Sequence, residues 1–309
     1  MNCYRILATL VLLAPLPARQ KEAPSLPPPD VANLAYGPHE RNIFDLWKAP
    51  SKVPTPLVIY IYGGGFVAGD KNAVGKDLID DCRRKGISVA SIDYRYATEA
   101  PYPAPMQDGA RAVQYLRLHA REYNLDPKAF ACTGISAGAG ICLWIGFHSD
   151  MADAANADPV MRQSTRLSAM AVAAAQTTYD PRVIATLIGE ETARIKNLRT
   201  LFGLKPDDDS LTAQAYFKLY EDASPVNHLK AGAPPVFLWY LQPKSPLPPP
   251  STHIGIHHPQ FGIFLKEKMD KLGVECVLKT KEDYEGKSLT KQSARDSVEF
   301  FLKHFPKQP

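Results

Sequence analysis

Cysteine is scarce in this sequence, and the few cysteines show no spacing that is typical of a metal site. Five occur in 309 residues, and no two of them form a C-x-x-C pair. A zinc-binding or redox-active dithiol pattern is therefore absent. An exported protein can hold a disulfide, but the sequence selects no pairing. Four cysteines follow Cys3, and we expect each of them to be a free thiol in the core: Cys82, Cys132, Cys142 and Cys276.

Two further absences narrow the range of partners. The net charge is +4, yet no run of Lys and Arg forms a basic stripe, so the sequence gives no support for a nucleic-acid partner. No apolar run reaches the length of about 20 residues that a membrane-spanning helix needs. Nothing in the sequence indicates a metal or an organic cofactor, and we expect no stable membrane span once an N-terminal signal has been cleaved.

The N-terminal residues have the pattern of an export signal. Arg5 provides a short basic region, residues 6–14 are apolar, and a cleavage-like segment follows. We therefore predict a signal peptide over residues 1–19, with a retained membrane anchor as the alternative. A Pro-rich linker over residues 20–34 and a single folded domain over residues 35–309 are expected to follow, in a secreted or periplasmic protein.

Beyond the linker, short apolar runs alternate with helical patterns. This alternation predicts an α/β fold with a mostly parallel central sheet and helices on both of its faces. The expected strands lie at 42–47, 56–62, 87–92, 130–134, 167–175, 235–241 and 274–279, and the expected helices at 74–86, 106–123, 137–147, 258–272 and 290–304.

Residues 178–230 interrupt the alternation. The segment is long, charged and helical, and it lies between two expected core strands. We predict a helical lid that is inserted over the carboxyl end of the sheet, which is where open α/β sheets bind their ligands.

One motif carries a specific chemistry. Residues 134–138 read Gly-Ile-Ser-Ala-Gly and fit G-x-S-x-G, with an apolar strand before them and an apolar helix after them. In that setting the turn holds the Ser136 hydroxyl out over the sheet edge. The first N–H groups of the helix then point towards a developing oxyanion.

A glycine-rich segment upstream fits the same chemistry. Residues 62–66 read Tyr-Gly-Gly-Gly-Phe and directly follow an expected strand. Because glycine has no Cβ, its backbone amide can approach a bound oxygen closely. An acyl-transfer site needs two or three such donors near its nucleophile.

In these motifs the sequence resembles the α/β-hydrolase superfamily, in particular its esterase/lipase branch with an HGGG-type oxyanion loop, which includes hormone-sensitive-lipase-like, feruloyl-esterase-like and acetylxylan-esterase-like members. The resemblance implies an α/β-hydrolase fold, Ser136 as the nucleophile, and Gly64, Gly65 and Ala137 as oxyanion donors. Tyr62 stands where the family has His, a residue that shapes the loop. The segments that carry the resemblance are YGGGF (62–66), IDYRY (92–96), GISAGAG (134–140) and SPVNHL (224–229).

Both partners that the family gives its serine are missing from their usual places. Residues 242–256, where the acid is expected, contain no Asp or Glu, and residues 280–290, where the base is expected, contain no His. A relocated base is one explanation. His253, His257 and His258 follow a core strand, and we expect His257 or His258 to reach Ser136.

The acid has more than one candidate. Asp180 follows the expected strand at 167–175 and is our first choice, while Asp283 or Glu285, near the family's His position, is the alternative. A helper such as Tyr62 or a lysine is a further possibility.

Two functions therefore remain open. The first is a secreted serine hydrolase of carboxylic esters, acting on a small molecule or on an acyl group of a polysaccharide. The second is a catalytically degenerate member of the same fold that binds without turnover.

Overall fold

The structure is a computed structural model that describes residues 26–205, 213–284 and 288–307. The expected signal peptide, the first residues of the expected linker and Glu285 lie outside the described residues.

Eight strands form one sheet in the order β1-β2-β4-β3-β5-β6-β7-β8. The pairs β1–β2 and β2–β4 are antiparallel, and every other neighbouring pair is parallel. The strands are β1 (Val31–Ala35), β2 (Ile43–Trp47), β3 (Thr55–Ile61), β4 (Ser88–Ile92), β5 (Leu125–Ile135), β6 (Ala169–Ala173), β7 (Val236–Trp239) and β8 (Cys276–Lys279).

The central strands are apolar almost without interruption because helices cover both of their sides. Every residue of β4 and β6 is buried, as is typical of parallel strands between two helical layers. The four cysteines after Cys3 are buried in this core as free thiols. Because neighbouring strands among β3, β5, β6 and β7 are parallel, their carboxyl ends meet at one edge of the sheet.

The helices pack in two groups, in which α1 contacts α10 and α2 contacts α3. Within the described ranges, no helix combines the length and the apolar character needed to cross a bilayer. The helices are α1 (Lys76–Arg84), α2 (Ala104–Leu118), α3 (Ala137–Phe147), α4 (Pro181–Leu187), α5 (Glu190–Ala193), α6 (Lys196–Leu201), α7 (Phe217–Ala223), α8 (Thr252–Ile256), α9 (Gln260–Lys271) and α10 (Leu289–His304).

Helices α4 to α7 all lie between β6 and β7, within the segment 178–230 that was expected to be inserted. The predicted fold class, a mostly parallel sheet with helices on both faces and a helical insertion, is thereby confirmed.

The boundary of the expected linker is wrong at its C-terminal side. Residues from Val31 onward form β1, in which Leu34 pairs with Phe44 of β2, so the sheet begins before residue 35. Trp47 donates a hydrogen bond from Nε1 to the carbonyl oxygen of Pro27 at 2.7 Å, which ties the preceding Pro-rich residues to the core. This edge strand was missed because its residues are partly exposed and do not alternate between apolar and polar.

Candidate active site

Ser136 occupies the sharp turn between β5 and α3. Its backbone has φ 53° and ψ −119°, and residues other than glycine rarely adopt such a positive φ. The flanking glycines are needed because the end of β3 lies directly against the turn. A Cβ on Gly134 would come within 2.5 Å of the Ile61 carbonyl oxygen, and one on Gly138 within 2.0 Å. The motif thus holds the serine in a strained, fixed position.

Backbone amides next to Ser136 are free to bind an oxyanion. Gly64 and Gly65 have φ of +110° and +61°, so the loop after β3 follows a path that only glycine adopts without strain. Ala137 is the first residue of α3. In the part of the chain that the structure describes, the N–H groups of these three residues donate no hydrogen bond to another group. Unengaged amides are what the predicted role of these residues as oxyanion donors requires.

Tyr62, at the start of this loop, anchors it in the core. Its ring is fully buried and stacks on Tyr94 with ring centroids 4.5 Å apart. Its hydroxyl accepts a hydrogen bond from the Arg41 guanidinium at 2.7 Å. Burial raises the pKa of Tyr62, so the phenol stays protonated and cannot act as a base. Tyr62 therefore shapes the loop, and it does not serve as a helper to the serine.

A histidine faces the serine hydroxyl. Nε2 of His257 lies 3.0 Å from Oγ of Ser136, at hydrogen-bond distance. His257 directly follows the short helix α8, whose N-terminus is capped by the Ser251 side chain. The connection from β7 thus folds back over the sheet edge and brings a residue 121 positions away to the nucleophile.

The surroundings keep the His257 imidazole neutral. Burial is the main cause that lowers the pKa of His257 to about 4, and the neighbouring charge of His253 contributes to this shift. A hydrogen bond from the ring to the backbone of His253 acts in the opposite direction. Because Nε2 faces the serine, Nδ1 is the ring nitrogen that remains for this interaction with the His253 backbone. This bond leaves the lone pair of Nε2 directed at Ser136.

His258 does not take part in this contact. The ring is buried, its Nε2 lies 3.1 Å from the carbonyl oxygen of Ser245, and its Nδ1 accepts a hydrogen bond from the Gln260 amide at 3.0 Å. His258 therefore fastens the start of α9 to the preceding loop. Of the two histidines that the sequence proposed, the structure brings His257 to the serine.

Asp180 lies elsewhere, in contrast to the expectation that it orients the base. Its carboxylate caps α4 by accepting a hydrogen bond from the Arg182 amide at 2.9 Å, and both of its oxygens also bind the Arg182 guanidinium. The physical reason is local, because an Asp before Pro at the first turn of a helix is a favourable N-cap.

Asp283 is likewise engaged in its own turn. Its Oδ2 accepts hydrogen bonds from the amide of Thr280 at 2.7 Å and from its hydroxyl at 3.1 Å. Over residues 26–205, 213–284 and 288–307, no carboxylate is hydrogen-bonded to His257. The histidine is held by a backbone carbonyl in the place where the family expects an acid.

Two spaces adjoin the serine hydroxyl. An open cleft of about 550 Å³ is lined by the glycine loop, Ser136, Gln242 and His257. A much smaller space of about 50 Å³ lies between the serine and the insertion. Its walls are mostly apolar and include Phe66, Tyr179, Ile184, Ile195, Leu198, Leu201, Ile256 and Phe261.

Some residues at the site were missed from the sequence. Asn197 of α6 lines both spaces, and its Nδ2 lies 2.0 Å from the position that a Cβ on Gly65 would take. Gln176 also lines the small space, where its amide group donates to the carbonyl oxygen of Ala174 at 3.2 Å. No motif marks either residue. Asn197 depends on the path of the inserted segment, and Gln176 lies in the connection between β6 and that segment.

Comparison with known proteins places this site in a family context. A family model described as BD-FAE matches residues 44–242, which is more than half of the chain. Esterase LipI of Mycobacterium tuberculosis is 36% identical over 133 residues, which cover 40% of this chain and 39% of that protein. Probable carboxylic ester hydrolase LipM of the same organism is 28% identical over 232 residues, covering 70% and 48%. The chain therefore spans less than half the length of these curated relatives.

Solved structures share the architecture at low sequence identity. The acetyl ester-xyloside bifunctional hydrolase from Caldicellulosiruptor lactoaceticus has a TM-score of 0.66 at 21% identity, covering 84% of this chain and 87% of that one. A thermophilic esterase from Thermogutta terrifontis, with propionate bound, has a TM-score of 0.64 at 18% identity, covering 93% and 98%. These likenesses concern the fold.

Proposed function

Because the chain belongs to the BD-FAE family and has the α/β-hydrolase fold, we propose that it is a serine hydrolase of carboxylic esters. The observation that carries the proposal is the 3.0 Å contact between His257 Nε2 and Ser136 Oγ. A nucleophile at hydrogen-bond distance from a neutral base is the arrangement that covalent acyl transfer requires.

The proposed reaction has two halves. Ser136 Oγ attacks the ester carbonyl while His257 takes its proton, and the resulting oxyanion is bound by the amides of Gly64, Gly65 and Ala137. The protonated His257 then gives its proton to the departing alcohol, which leaves an acyl-serine. Water attacks this acyl group in the second half, His257 again takes and returns one proton, and the carboxylic acid is released.

In this proposal the carbonyl of His253 does part of the work that an acid does in related enzymes. A neutral carbonyl fixes the tautomer and the orientation of His257, which is one of the two contributions of the acid in a Ser-His-Asp triad. It stabilises the positive imidazolium less than a carboxylate does. We therefore expect a working dyad with a modest turnover number.

The two spaces beside Ser136 support a division of the substrate. The small apolar space suits a short acyl group, since about 50 Å³ holds little more than one or two water-sized groups. The open cleft suits a larger alcohol, including a sugar of a polysaccharide. The propionate bound by the Thermogutta esterase and the acetyl-ester activity in the name of the Caldicellulosiruptor enzyme are consistent with this division.

Export is part of the proposal. The signal-like pattern over residues 1–19 supports a secreted or periplasmic enzyme. Sequencing the N-terminus of protein recovered from outside the cytoplasm tests this prediction. A chain there that still begins at Met1 would contradict cleavage.

Covalent labelling distinguishes the proposed hydrolase from a catalytically silent protein. A fluorophosphonate reacts with a serine only when that serine is activated as a nucleophile. We expect the purified chain to be labelled once, Ser136→Ala not at all, and His257→Ala at least 10³-fold more slowly. Hydrolysis of 4-nitrophenyl acetate should fall in parallel.

His258→Asn is the matched control for this experiment. Asparagine can still accept the hydrogen bond from the Gln260 amide, and the ring it replaces does not face Ser136. We expect this variant to be labelled at nearly the rate of the natural chain. A correctly folded natural chain that resists the probe would establish the silent alternative.

A further inference from the structure

A second group of reactive side chains lies at the far end of α3 from Ser136. His148 directly follows α3, Asp222 belongs to α7, and His228 ends the 3-10 turn Pro225–His228. One ligand atom from each lies within 4.8 Å of the others. Twelve residues of helical rise put this cluster roughly 18 Å from Ser136, so it is separate from the proposed catalytic site.

The outer contacts of two of these side chains fix which atoms face the cluster. Nδ1 of His148 donates to the carbonyl oxygen of Trp144 at 2.9 Å, which leaves the lone pair of Nε2 free. Oδ2 of Asp222 accepts a hydrogen bond from the Tyr102 hydroxyl at 2.5 Å, which leaves Oδ1 free. Metal-binding histidines and carboxylates characteristically have such outer partners, which orient them and set the tautomer.

The third side chain is held close to the other two. Nε2 of His228 donates a hydrogen bond to the backbone carbonyl oxygen of Asp222 at 2.6 Å and lies 4.0 Å from Oδ1 of Asp222, so the lone pair of the neutral ring is on Nδ1. The rings of His228 and His148 have their centroids 3.5 Å apart. Ligand atoms around a four-coordinate zinc, with bonds of about 2 Å, are roughly 3–3.5 Å apart. Binding of one ion would therefore require the two rings to turn apart until their lone pairs converge, as well as a contraction of the ligand atoms by about an ångström.

The geometry points to a site for a divalent transition-metal ion formed by His148, Asp222 and His228, with water completing the coordination. Two imidazoles and one carboxylate suit Zn²⁺, Cu²⁺, Ni²⁺ or Co²⁺ far better than Ca²⁺ or Mg²⁺, which prefer oxygen ligands. Since α7 and the 3-10 turn belong to the insertion and His148 follows a core helix, the ion would fasten the insertion to the sheet layer.

The test uses the whole purified chain, stripped with a chelator and titrated with zinc chloride alone. Calorimetry and elemental analysis after dialysis should give one Zn²⁺ per chain. Binding to the folded state should also raise Tm by roughly 5 °C at a hundredfold excess over Kd. Co²⁺ in place of Zn²⁺ should give the visible absorption of a bound, nitrogen-ligated ion.

Variants locate the ion. His148→Ala and Asp222→Asn should each weaken Zn²⁺ binding at least tenfold, and the asparagine can still accept the hydrogen bond from Tyr102. His119→Ala removes a histidine that directly follows α2 and pairs with Glu122, and it should leave binding unchanged.

A variant that should strengthen Zn²⁺ binding provides a further test. Lys230 donates from Nζ to the Ser149 hydroxyl at 2.8 Å, and its positive charge acts on His148. Lys230→Gln should therefore tighten Zn²⁺ binding severalfold, which a purely structural role of the histidines does not predict.

Two results would overturn the site. The first is the absence of binding to the folded natural chain at about 100 µM Zn²⁺, which would mean a Kd weaker than that concentration. The second is stoichiometric binding that survives in His148→Ala and Asp222→Asn. Circular dichroism of each variant shows whether it is folded, and labelling of Ser136 reports independently on the proposed hydrolase.

Discussion

The protonation state of His257 sets the acid limit of the proposed activity. Its pKa of about 4 lies below the ordinary value for histidine, so the imidazole is neutral, and able to take a proton, at all pH values above about 4. We expect kcat/KM for a short-chain ester to be flat near neutrality and to fall as the pH drops through about 4. A pH profile of kcat/KM measures this limb, and a limb near 6.5 would contradict the buried, carboxylate-free setting.

His253→Ala should move this limb to higher pH. The substitution removes the charge that lowers the pKa of His257 and opens the ring to water, while the backbone carbonyl at position 253 remains. Both effects favour the protonated imidazole, so the acid limb should rise towards the ordinary value. The profile of His119→Ala, a change remote from the cleft, should match that of the natural chain, and an unchanged limb in His253→Ala would exclude His253 as an influence.

Asp180→Asn separates the capping role of this residue from a catalytic one. The amide oxygen can still accept from the Arg182 backbone, so we expect kcat/KM to stay within about threefold of the natural value. The lost ion pair with Arg182 should lower stability by about 1–3 kcal/mol because the carboxylate is buried. If kcat/KM instead falls by a factor of about 10³ or more while Tm is almost unchanged, Asp180 would be restored as the acid.

At the scale of secondary structure, the buried parallel strands were the most predictable part of the molecule. The runs at 56–62, 87–92 and 130–134 each coincide with a central strand to within a few residues because two-sided burial demands continuous apolar sequence. The α3 helix was predicted at its observed bounds. Only β1, at an exposed edge where sequence is weakly constrained, falls largely within the predicted linker.

The elements of the site divide in the same way. Ser136 and the glycines lie in motifs that local backbone geometry requires, so the sequence alone predicts the turn and the loop that hold them. The choice between His257 and His258 depended on where α8 ends, which a Pro-rich connection does not reveal. Asp180 was misjudged because a helix cap and a triad acid have the same residue type after a core strand.

The close approach of the serine turn to β3 predicts a severe effect of Gly138→Ala. The added Cβ would meet the Ile61 carbonyl oxygen at 2.0 Å and that of Tyr62 at 2.4 Å, and neither backbone atom can yield without moving the glycine loop. We expect a loss of more than about 2 kcal/mol in the free energy of unfolding, together with loss of fluorophosphonate labelling.

Gly75→Ala provides the contrast. Its added Cβ meets no atom within 4 Å, and the residue has a negative φ of −73°. Its effect on stability should stay within about 0.5 kcal/mol. Denaturant unfolding of both variants measures the difference, and equal stabilities would contradict the packing described for the turn.

The small space beside Ser136 depends on the whole fold, because residues at the sheet edge form one wall and residues of the insertion form the other. We expect 4-nitrophenyl acetate to be preferred over the octanoate by at least tenfold in kcat/KM. Leu198→Ala enlarges the space and should raise the relative rate for longer acyl chains.

Leu265→Ala serves as the control for this change in acyl preference. Leu265 is fully buried in α9 and does not line the space, so it should lose a similar amount of stability without changing the preference. A preference that shifts equally in both variants would show that loosened packing, and not the shape of the space, sets the acyl length.

The strained backbone of Ser136 has a consequence for the stability of the fold. A serine at φ 53° and ψ −119° makes the fold less stable, by about 1–3 kcal/mol, than a glycine in the same turn would. Ser136→Gly should therefore raise the free energy of unfolding by about that amount while it removes the hydroxyl that the proposed reaction requires.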